Sequence, residues 1–122
     1  MGRRQRQRGR AGLRAASAEY RDSAGNTLVL RGALTAPTRA SYARLASGAE
    51  LPPGASREDA WQRAVEFLFE RLAVEWEISG VATSRQKELL ARFRIASTDE
   101  RRFVRDALRE HLAEHFPELE AP

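Results

Sequence analysis

The sequence predicts a mostly α fold, namely a small four-helix domain with an N-terminal β-hairpin. Two observations lead to this prediction. Apolar residues of the stretch 56–78 recur at helical spacing, which indicates one long amphipathic helix. Capping signals and turn-rich segments then divide the rest of the chain into a hairpin and three further helices.

Length and composition limit the class of protein. A chain of 122 residues is long enough for one domain with a modest core. It contains no cysteine, which excludes disulfides and thiolate metal sites. No apolar run approaches the roughly 20 residues of a membrane span, and no hydrophobic signal segment follows the charged N-terminus. We therefore expect a soluble, cytoplasmic protein that does not contact a membrane.

Residues 1–16 are predicted to form a flexible Arg-rich arm. Six of its residues are arginine and none is acidic: Arg3, Arg4, Arg6, Arg8, Arg10 and Arg14. They account for the net charge of +4, because the other 15 basic and 17 acidic residues sum to about −2. Such an arm can bind a phosphate backbone, a contact that needs charge and no fixed geometry. The alternatives are a solvated tail and a start codon assigned too early.

A hairpin is predicted next, with strands at 17–21 and 27–31. Gly25, in the turn-rich segment between them, can adopt the positive φ that a short hairpin loop requires. On the second strand Leu28 and Leu30 point the same way, toward the expected core. A two-stranded hairpin is marginal alone, so it has to pack on a helix.

The helix from 56 to 78 is the expected centre of the fold, with Ser56 as its N-terminal cap. One of its faces carries the core residues Trp61, Ala64, Val65, Leu68, Phe69, Leu72 and Trp76. Phe67 and Val74 lie seven residues apart on a second narrow line, so this helix has apolar residues to bury on two sides. The candidate partner-binding residues are accordingly Trp61, Phe67, Val74 and Trp76.

Three further helices are predicted around the central one. They run from Thr35 to Gly48, from a capping pair at Thr83 to Arg94, and from a capping box at Ser97 to the Phe116-Pro117 pair. The domain organisation is then an arm at 1–16, one helical domain at 17–116 and a C-terminal tail at 117–122.

Few residue patterns point to catalysis or to a metal. His111-Leu-Ala-Glu-His115 formally matches the H-x-x-E-H zinc pattern, but both histidines lie in the apolar stripe of the last helix. We interpret them as partly buried, hydrogen-bonded residues. The carboxylate pairs at 58–59 and 99–100 lie in first helical turns, where negative charge favours the helix dipole. The sequence predicts no catalytic residue, metal or cofactor, and the chain is not expected to be an enzyme.

The last two helices also permit a helix-turn-helix interpretation. The outer face of the final helix carries Arg101, Arg102, Arg105 and Arg109. Acidic residues interrupt this face and begin the helix that would enter a DNA groove, which disfavours DNA binding. We interpret the basic face as solvated and ion-paired.

Eight residues of the segment 17–78 follow the order D-x-x-G-x-x-L-x-L-R and then L-T, ahead of an aromatic segment that ends in a tryptophan. They are Asp22, Gly25, Leu28, Leu30, Arg31, Leu34, Thr35 and Trp76. In this order the segment resembles the small tail assembly chaperones of long-tailed bacteriophages. The resemblance implies a non-enzymatic helper that coats the apolar helices of a tape-measure protein until the tail tube polymerises around them.

Two function hypotheses follow. The first is a protein-interaction or assembly factor that binds apolar helices of a partner protein, with self-association as a variant. The second is a small nucleic-acid-associated protein that uses the Arg-rich arm. The salt dependence of binding distinguishes the two hypotheses, because binding of nucleic acid through the arm weakens as the salt concentration rises and apolar binding does not.

Overall fold

We describe the fold from a computed structural model, which describes residues 17–48 and 51–122. Within these residues, four helices account for 53% of the positions and a four-stranded antiparallel sheet for 16%. The protein is therefore a mixed α/β domain. The prediction of a mostly α fold, with a hairpin as its one β element, is wrong.

The described elements alternate along the chain in groups of two. Their order is β1 (Ala18–Arg21), β2 (Thr27–Leu30), α1 (Ala36–Ser47), α2 (Arg57–Leu72), β3 (Ala73–Ile78), β4 (Val81–Thr83), α3 (Gln86–Arg94) and α4 (Thr98–His115). The strands lie in the order β1-β2-β3-β4, and each is antiparallel to its neighbours. The core lies between one face of this sheet and the helices. None of the described helices is both long enough and apolar enough to cross a bilayer.

The N-terminal hairpin is confirmed. Tyr20 on β1 pairs with Leu28 on β2, and Leu28 and Leu30 are fully buried. The carboxylate of Asp22 accepts hydrogen bonds of 2.9 Å from two main-chain amides of the turn. Gly25 supplies the positive φ, at 86°. The turn residues therefore determine the pairing of these strands, as expected.

The central helix is shorter than predicted. It ends at Leu72, and the chain becomes extended at Ala73, where φ is −66° and ψ is 128°. Val74 and Trp76 consequently belong to β3, which pairs with β2 on one side and β4 on the other. Their predicted place on a helix is wrong. The alternation of apolar residues and glutamates from Val74 to Ile78 was the sequence signal for this strand.

A β-bulge in β3 explains why the helical spacing continued past the end of the helix. Leu28 pairs with Trp76, whereas Leu30 pairs with Ala73, so β3 has one more residue than β2 between these pairs. The bulge turns Ala73 and Trp76 toward the core, where they are 5% and 1% exposed. Two buried residues three positions apart, directly after the buried Leu72, imitate the periodicity of a helix.

The start of α3 was also assigned wrongly. Thr83 lies on β4 and does not cap a helix, and α3 begins at Gln86 without a side-chain cap at Arg85. Ser79 and Gly80 connect β3 to β4, and both have positive φ, at 51° and 81°. Two successive residues with positive φ are typical of a two-residue hairpin turn, whose twist matches that of the strands. The Ser-Gly pair was therefore a hairpin signal that the helical interpretation missed.

The remaining helix ends agree with the sequence. Thr35 caps α1, and Gly48 ends it in the left-handed conformation with φ 75°. Capping boxes at Ser56 and Ser97 begin α2 and α4. The buried residues of α2 are Ala60, Ala64, Val65, Leu68, Phe69 and Leu72. This is the predicted face up to the end of the helix, except that Ala60 is buried in addition and Trp61 is only half-buried.

Candidate functional site

A groove of about 890 Å³ follows the side of α2 that does not face the core. The prolines at 52 and 53 prevent the chain after α1 from continuing as a helix, so it forms a loop beside α2. This loop and α1 contribute Leu45, Pro52, Pro53, Gly54 and Ala55 to the groove. The helix α2 contributes Asp59, Gln62, Arg63, Glu66, Phe67 and Glu70. We call this feature the Phe67 groove.

Phe67 is the one aromatic side chain among the described residues that line this groove. It is half-buried and packs in part against the core. The guanidinium carbon of Arg71 lies 5.0 Å from the centre of its ring, a cation–π arrangement. Arg71 also forms an ion pair of 3.6 Å with Glu70. These contacts hold the ring in place while part of it stays accessible to a partner.

The rim of the Phe67 groove is acidic, with three carboxylates and one arginine among its described residues. Hydrogen bonds from the main chain and side chain of Ser56 lower the pKa of Asp59, so this carboxylate stays charged at neutral pH. Glu66 forms an ion pair of 2.6 Å with Arg94. The rim therefore favours a ligand with basic groups beside its apolar residues.

Val74 lines a second groove of about 270 Å³. It is the extra residue of the β3 bulge, and it is half-buried. Glu70 lines both grooves, so Phe67 and Val74 lie on either side of the Glu70–Arg71 ion pair. The two residues do not share a helix, but the structure places both next to the same charged pair.

The two tryptophans differ in their surroundings. Trp76 is a core residue, and its ring lies 5.5 Å from that of Phe69 in a T-shaped contact. Because it is buried, we exclude it from the predicted partner-binding residues. Trp61 is half-buried on α2, and Arg57 lies over its ring at 5.4 Å. Trp61 does not line the Phe67 groove.

His111 is part of a buried network of hydrogen bonds. Its Nδ1 lies 2.8 Å from the hydroxyl of Tyr20, and its Nε2 lies 2.9 Å from the main-chain oxygen of Arg31. Because a carbonyl oxygen only accepts, Nε2 carries the proton and Nδ1 accepts from the tyrosine. Burial lowers the pKa of His111 and raises the pKa of Tyr20 to about 12, so both groups are neutral at pH 7.

These hydrogen bonds make His111 a satisfied core residue, as predicted, whereas the buried Nε2 of His115 has no hydrogen-bond partner among the described residues. Both ring nitrogens of His111 already have partners within the protein. His115 packs beside it, with the two ring centres 4.4 Å apart. Among residues 17–48 and 51–122, no three acidic or histidine side chains are grouped so that they can hold a metal ion.

The basic face of α4 is largely occupied by contacts within the protein. Arg101 donates to the main-chain oxygen of Arg94 at 2.7 Å, and Arg105 forms an ion pair of 3.5 Å with Glu58. Arg109 donates to the main-chain oxygen of Pro122. These three arginines are therefore less available to phosphates than the sequence implies.

The arm residues of the nucleic-acid hypothesis, namely Arg3, Arg4, Arg6, Arg8 and Arg10, lie outside the described residues. No protein-family model matches the chain, and neither the curated proteins nor the solved structures contain a match to it. The residues that carry the resemblance to tail assembly chaperones have structural roles here. Asp22 closes the hairpin turn, Leu28 and Trp76 are buried, and Thr35 caps α1.

Proposed function

We propose that this chain is a protein-interaction or assembly factor that binds an apolar helix of a partner protein in the Phe67 groove. The observation that carries the proposal is the groove itself, about 890 Å³ in volume, with the accessible part of Phe67 inside it. A partner helix would place an apolar side chain against this ring and against Leu45 and Pro52 on the opposite wall. Val74 extends the contact surface beyond the Glu70–Arg71 pair.

The chemistry of the groove supports binding of a helix with mixed character. Its apolar side chains are one aromatic ring, one leucine, two prolines and one alanine, and its rim is acidic. A partner helix with lysine or arginine on both sides of an apolar stripe complements this rim. The carboxylates at the rim that cap α2 or pair with Arg94 are held in place before binding, so less side-chain entropy is lost on association.

Within this class, we assign the chain the role of an assembly chaperone for the long apolar helices of a tape-measure-like protein. The support for this narrower role is the resemblance of the segment 17–78 to tail assembly chaperones. Such a chaperone acts in the cytoplasm, where its partner is made. Self-association through the same groove is the variant in which a second copy supplies the apolar contact.

The test is co-expression of the full chain with the products of neighbouring genes, followed by purification in about 0.5 M salt to remove purely electrostatic partners. Mass spectrometry then identifies what stays bound. The informative variant is Phe67→Glu, and the matched control is Ile95→Glu, since Ile95 is 78% exposed and lies outside both grooves. Circular dichroism has to show that both variants fold.

We expect a retained partner with long apolar helices, bound equally by the native chain and by Ile95→Glu. Phe67→Glu should reduce the retained amount at least about tenfold, the loss that follows when a charge enters an apolar contact. A native chain that purifies alone, or a partner that Phe67→Glu retains fully, contradicts the proposal.

The Arg-rich arm is the basis of the alternative function. Six arginines without an acidic residue lie in 1–16, while the rest of the chain is close to neutral. Binding of nucleic acid that weakens steeply with salt, and that disappears when residues 1–14 are deleted, would favour this alternative. Binding that survives the deletion would place the contact elsewhere.

A further inference from the structure

Residues 117–122, the tail, pack against three helices. The side chains of Leu119 and Ala121 pack against the core, and Pro122 is buried. The main-chain amide of Leu119 donates to the oxygen of Phe116 at 2.9 Å, which turns the chain back at the end of α4. The tail itself is neither helix nor strand.

The tail is held mainly by side chains that donate hydrogen bonds to its main-chain oxygens. The hydroxyl of Tyr42, on α1, donates to the main-chain oxygen of Glu120. The guanidinium of Arg109, on α4, donates to the main-chain oxygen of Pro122 through Nε and a terminal nitrogen, at 3.0 and 2.8 Å. Peptide-binding grooves likewise hold the main chain of a ligand through hydrogen bonds and take up some of its side chains.

The charges around the tail are complementary to it. Arg39 on α1 forms an ion pair of 3.5 Å with Glu118, and Arg57 on α2 forms one of 3.7 Å with Glu120. The side chains in both pairs are between 44% and 64% exposed. Exposed pairs of this kind add specificity and little stability, so they do not prevent the tail from leaving.

We propose that the tail is the internal ligand of a peptide-binding groove between α1, α2 and α4, and that an acidic and apolar segment of a partner takes its place. The partner segment carries carboxylates that alternate with small or branched apolar residues. Its backbone oxygens bind Tyr42 and Arg109, and its carboxylates bind Arg39 and Arg57. The attached tail closes the groove until such a segment displaces it.

This groove is separate from the Phe67 groove. Along α1, Arg39 and Tyr42 contact the tail, whereas Leu45 lines the Phe67 groove. The inference therefore does not depend on the proposed function. Phe67→Glu should leave peptide binding at the tail groove unchanged.

The test uses a fluorescently labelled peptide with the sequence of residues 117–122. It is titrated, with anisotropy as the readout, into the full chain and into a chain without residues 117–122. We expect saturable binding to the shortened chain and at least about tenfold weaker binding to the full chain, because the attached tail competes at an effective concentration in the millimolar range. A peptide with lysine at both glutamate positions should bind at least about fivefold more weakly, since it replaces both ion pairs with repulsion from Arg39 and Arg57.

Two arginines on α4 provide a matched control for the receptor side. Arg109→Gln in the shortened chain should weaken peptide binding at least about tenfold, because the main-chain oxygen loses a charged donor. Arg102→Gln should not change it, because Arg102 is exposed and is not among the residues that form hydrogen bonds or ion pairs with the tail. A folded shortened chain that does not bind the peptide, or binds no better than the full chain, overturns the inference.

If the shortened chain does not fold, hydrogen exchange in the native full chain tests whether the tail can leave the groove. The amide of Leu119, which donates to the main-chain oxygen of Phe116 in the folded tail, should exchange through local opening, at least about tenfold faster than the slowest amides of α4. If the tail opens only when the whole domain unfolds, the groove is never free for a partner, and the inference is wrong.

Discussion

The hydroxyl of Tyr20 contacts Nδ1 of His111 at 2.8 Å, and this hydrogen bond joins the N-terminal hairpin to the last helix across 91 positions of the chain. The two rings also meet in a T-shaped arrangement with their centres 5.6 Å apart. The other nitrogen of His111 binds the main-chain oxygen of Arg31, just after β2. The hairpin is thus attached to α4 by a buried polar network in addition to apolar packing.

We predict that the protein loses stability as the pH falls below about 6.5, the ordinary pKa of histidine. Burial lowers the pKa of His111 in the folded state, so below 6.5 the unfolded chain binds a proton that the folded chain does not. The stabilising effect is complete above this pH and is lost as the pH falls through the folded pKa. The other polar groups facing the ring are the Tyr20 hydroxyl, the Arg31 carbonyl, His115 and Glu114.

Urea unfolding between about pH 7.5 and pH 5 measures this effect. The free energy of unfolding of the native chain should fall with pH, while that of His111→Gln should change less. Carboxylates such as Asp59 and Glu100, whose pKa values are lowered by hydrogen bonds, act at more acidic pH and affect both chains equally. Equal slopes for the two chains would show that His111 is not the group responsible.

Tyr20→Phe should destabilise the protein by about 1–3 kcal/mol, because the buried Nδ1 of His111 loses its hydrogen-bond donor. The ring and its packing are retained, so the change isolates the hydroxyl. In a chain that already carries His111→Leu, the same substitution should cost less than half as much. Chemical denaturation of the four chains gives the coupling energy, and a value near zero would argue against the network.

Trp76→Ala and Trp61→Ala test the unequal burial of the two tryptophans, both of which the sequence placed on one core face. Trp76 is buried, so its truncation should cost about 3–5 kcal/mol. Trp61 is half-buried, so its truncation should cost clearly less, about 1–2 kcal/mol. Thermal or urea unfolding provides the comparison. Equal costs would be inconsistent with the observed positions of the two rings.

Ser97→Ala should destabilise the protein by about 1 kcal/mol, because Ser97 accepts a hydrogen bond from the amide of Glu100 at the start of α4. Thr83→Val is the matched control. The sequence predicted Thr83 as a helix cap, but the structure places it on β4. The substitution keeps a β-branched residue in β4 and should change stability by less than about 0.5 kcal/mol. A similar loss for both substitutions would restore the predicted cap at Thr83.

Features that depend on one or two neighbouring residues were predictable from the sequence. Asp22 and Gly25 determine the first hairpin turn, and Ser56 and Ser97 accept hydrogen bonds from amides three positions later. Gly48 ends α1 because a residue without Cβ adopts positive φ without strain. In each case the chemistry of the residue itself selects the local backbone.

The second hairpin could not be predicted with the same reasoning. Its strand β3 follows α2 without a loop, and the bulge places Ala73 and Trp76 on one side at a spacing that also fits a helix. Pairing with β2 decides between the two conformations, and that pairing joins Leu28 to a residue far along the chain. Tertiary contacts therefore overrode the local periodicity.

The candidate site was predictable only in part. The sequence singled out Phe67 and Val74 as apolar residues outside the main face, and the structure places each of them in a groove. The opposite wall of the Phe67 groove comes from α1 and from the proline loop, whose position no local pattern encodes. The contact of Tyr42 with Glu120 spans 78 positions, and it too had no signal in the sequence.

Photo-crosslinking shows directly whether the partner lies in the Phe67 groove. A benzophenone amino acid replaces Phe67 in one full-length chain and Ile95 in another, and each is co-expressed with the copurifying partner. Irradiation should join the partner to position 67, with the adduct mapped to an apolar helix, and should give no adduct at position 95. A partner that copurifies and crosslinks at position 95 but not at position 67 would contradict the assignment of the Phe67 groove as the binding site.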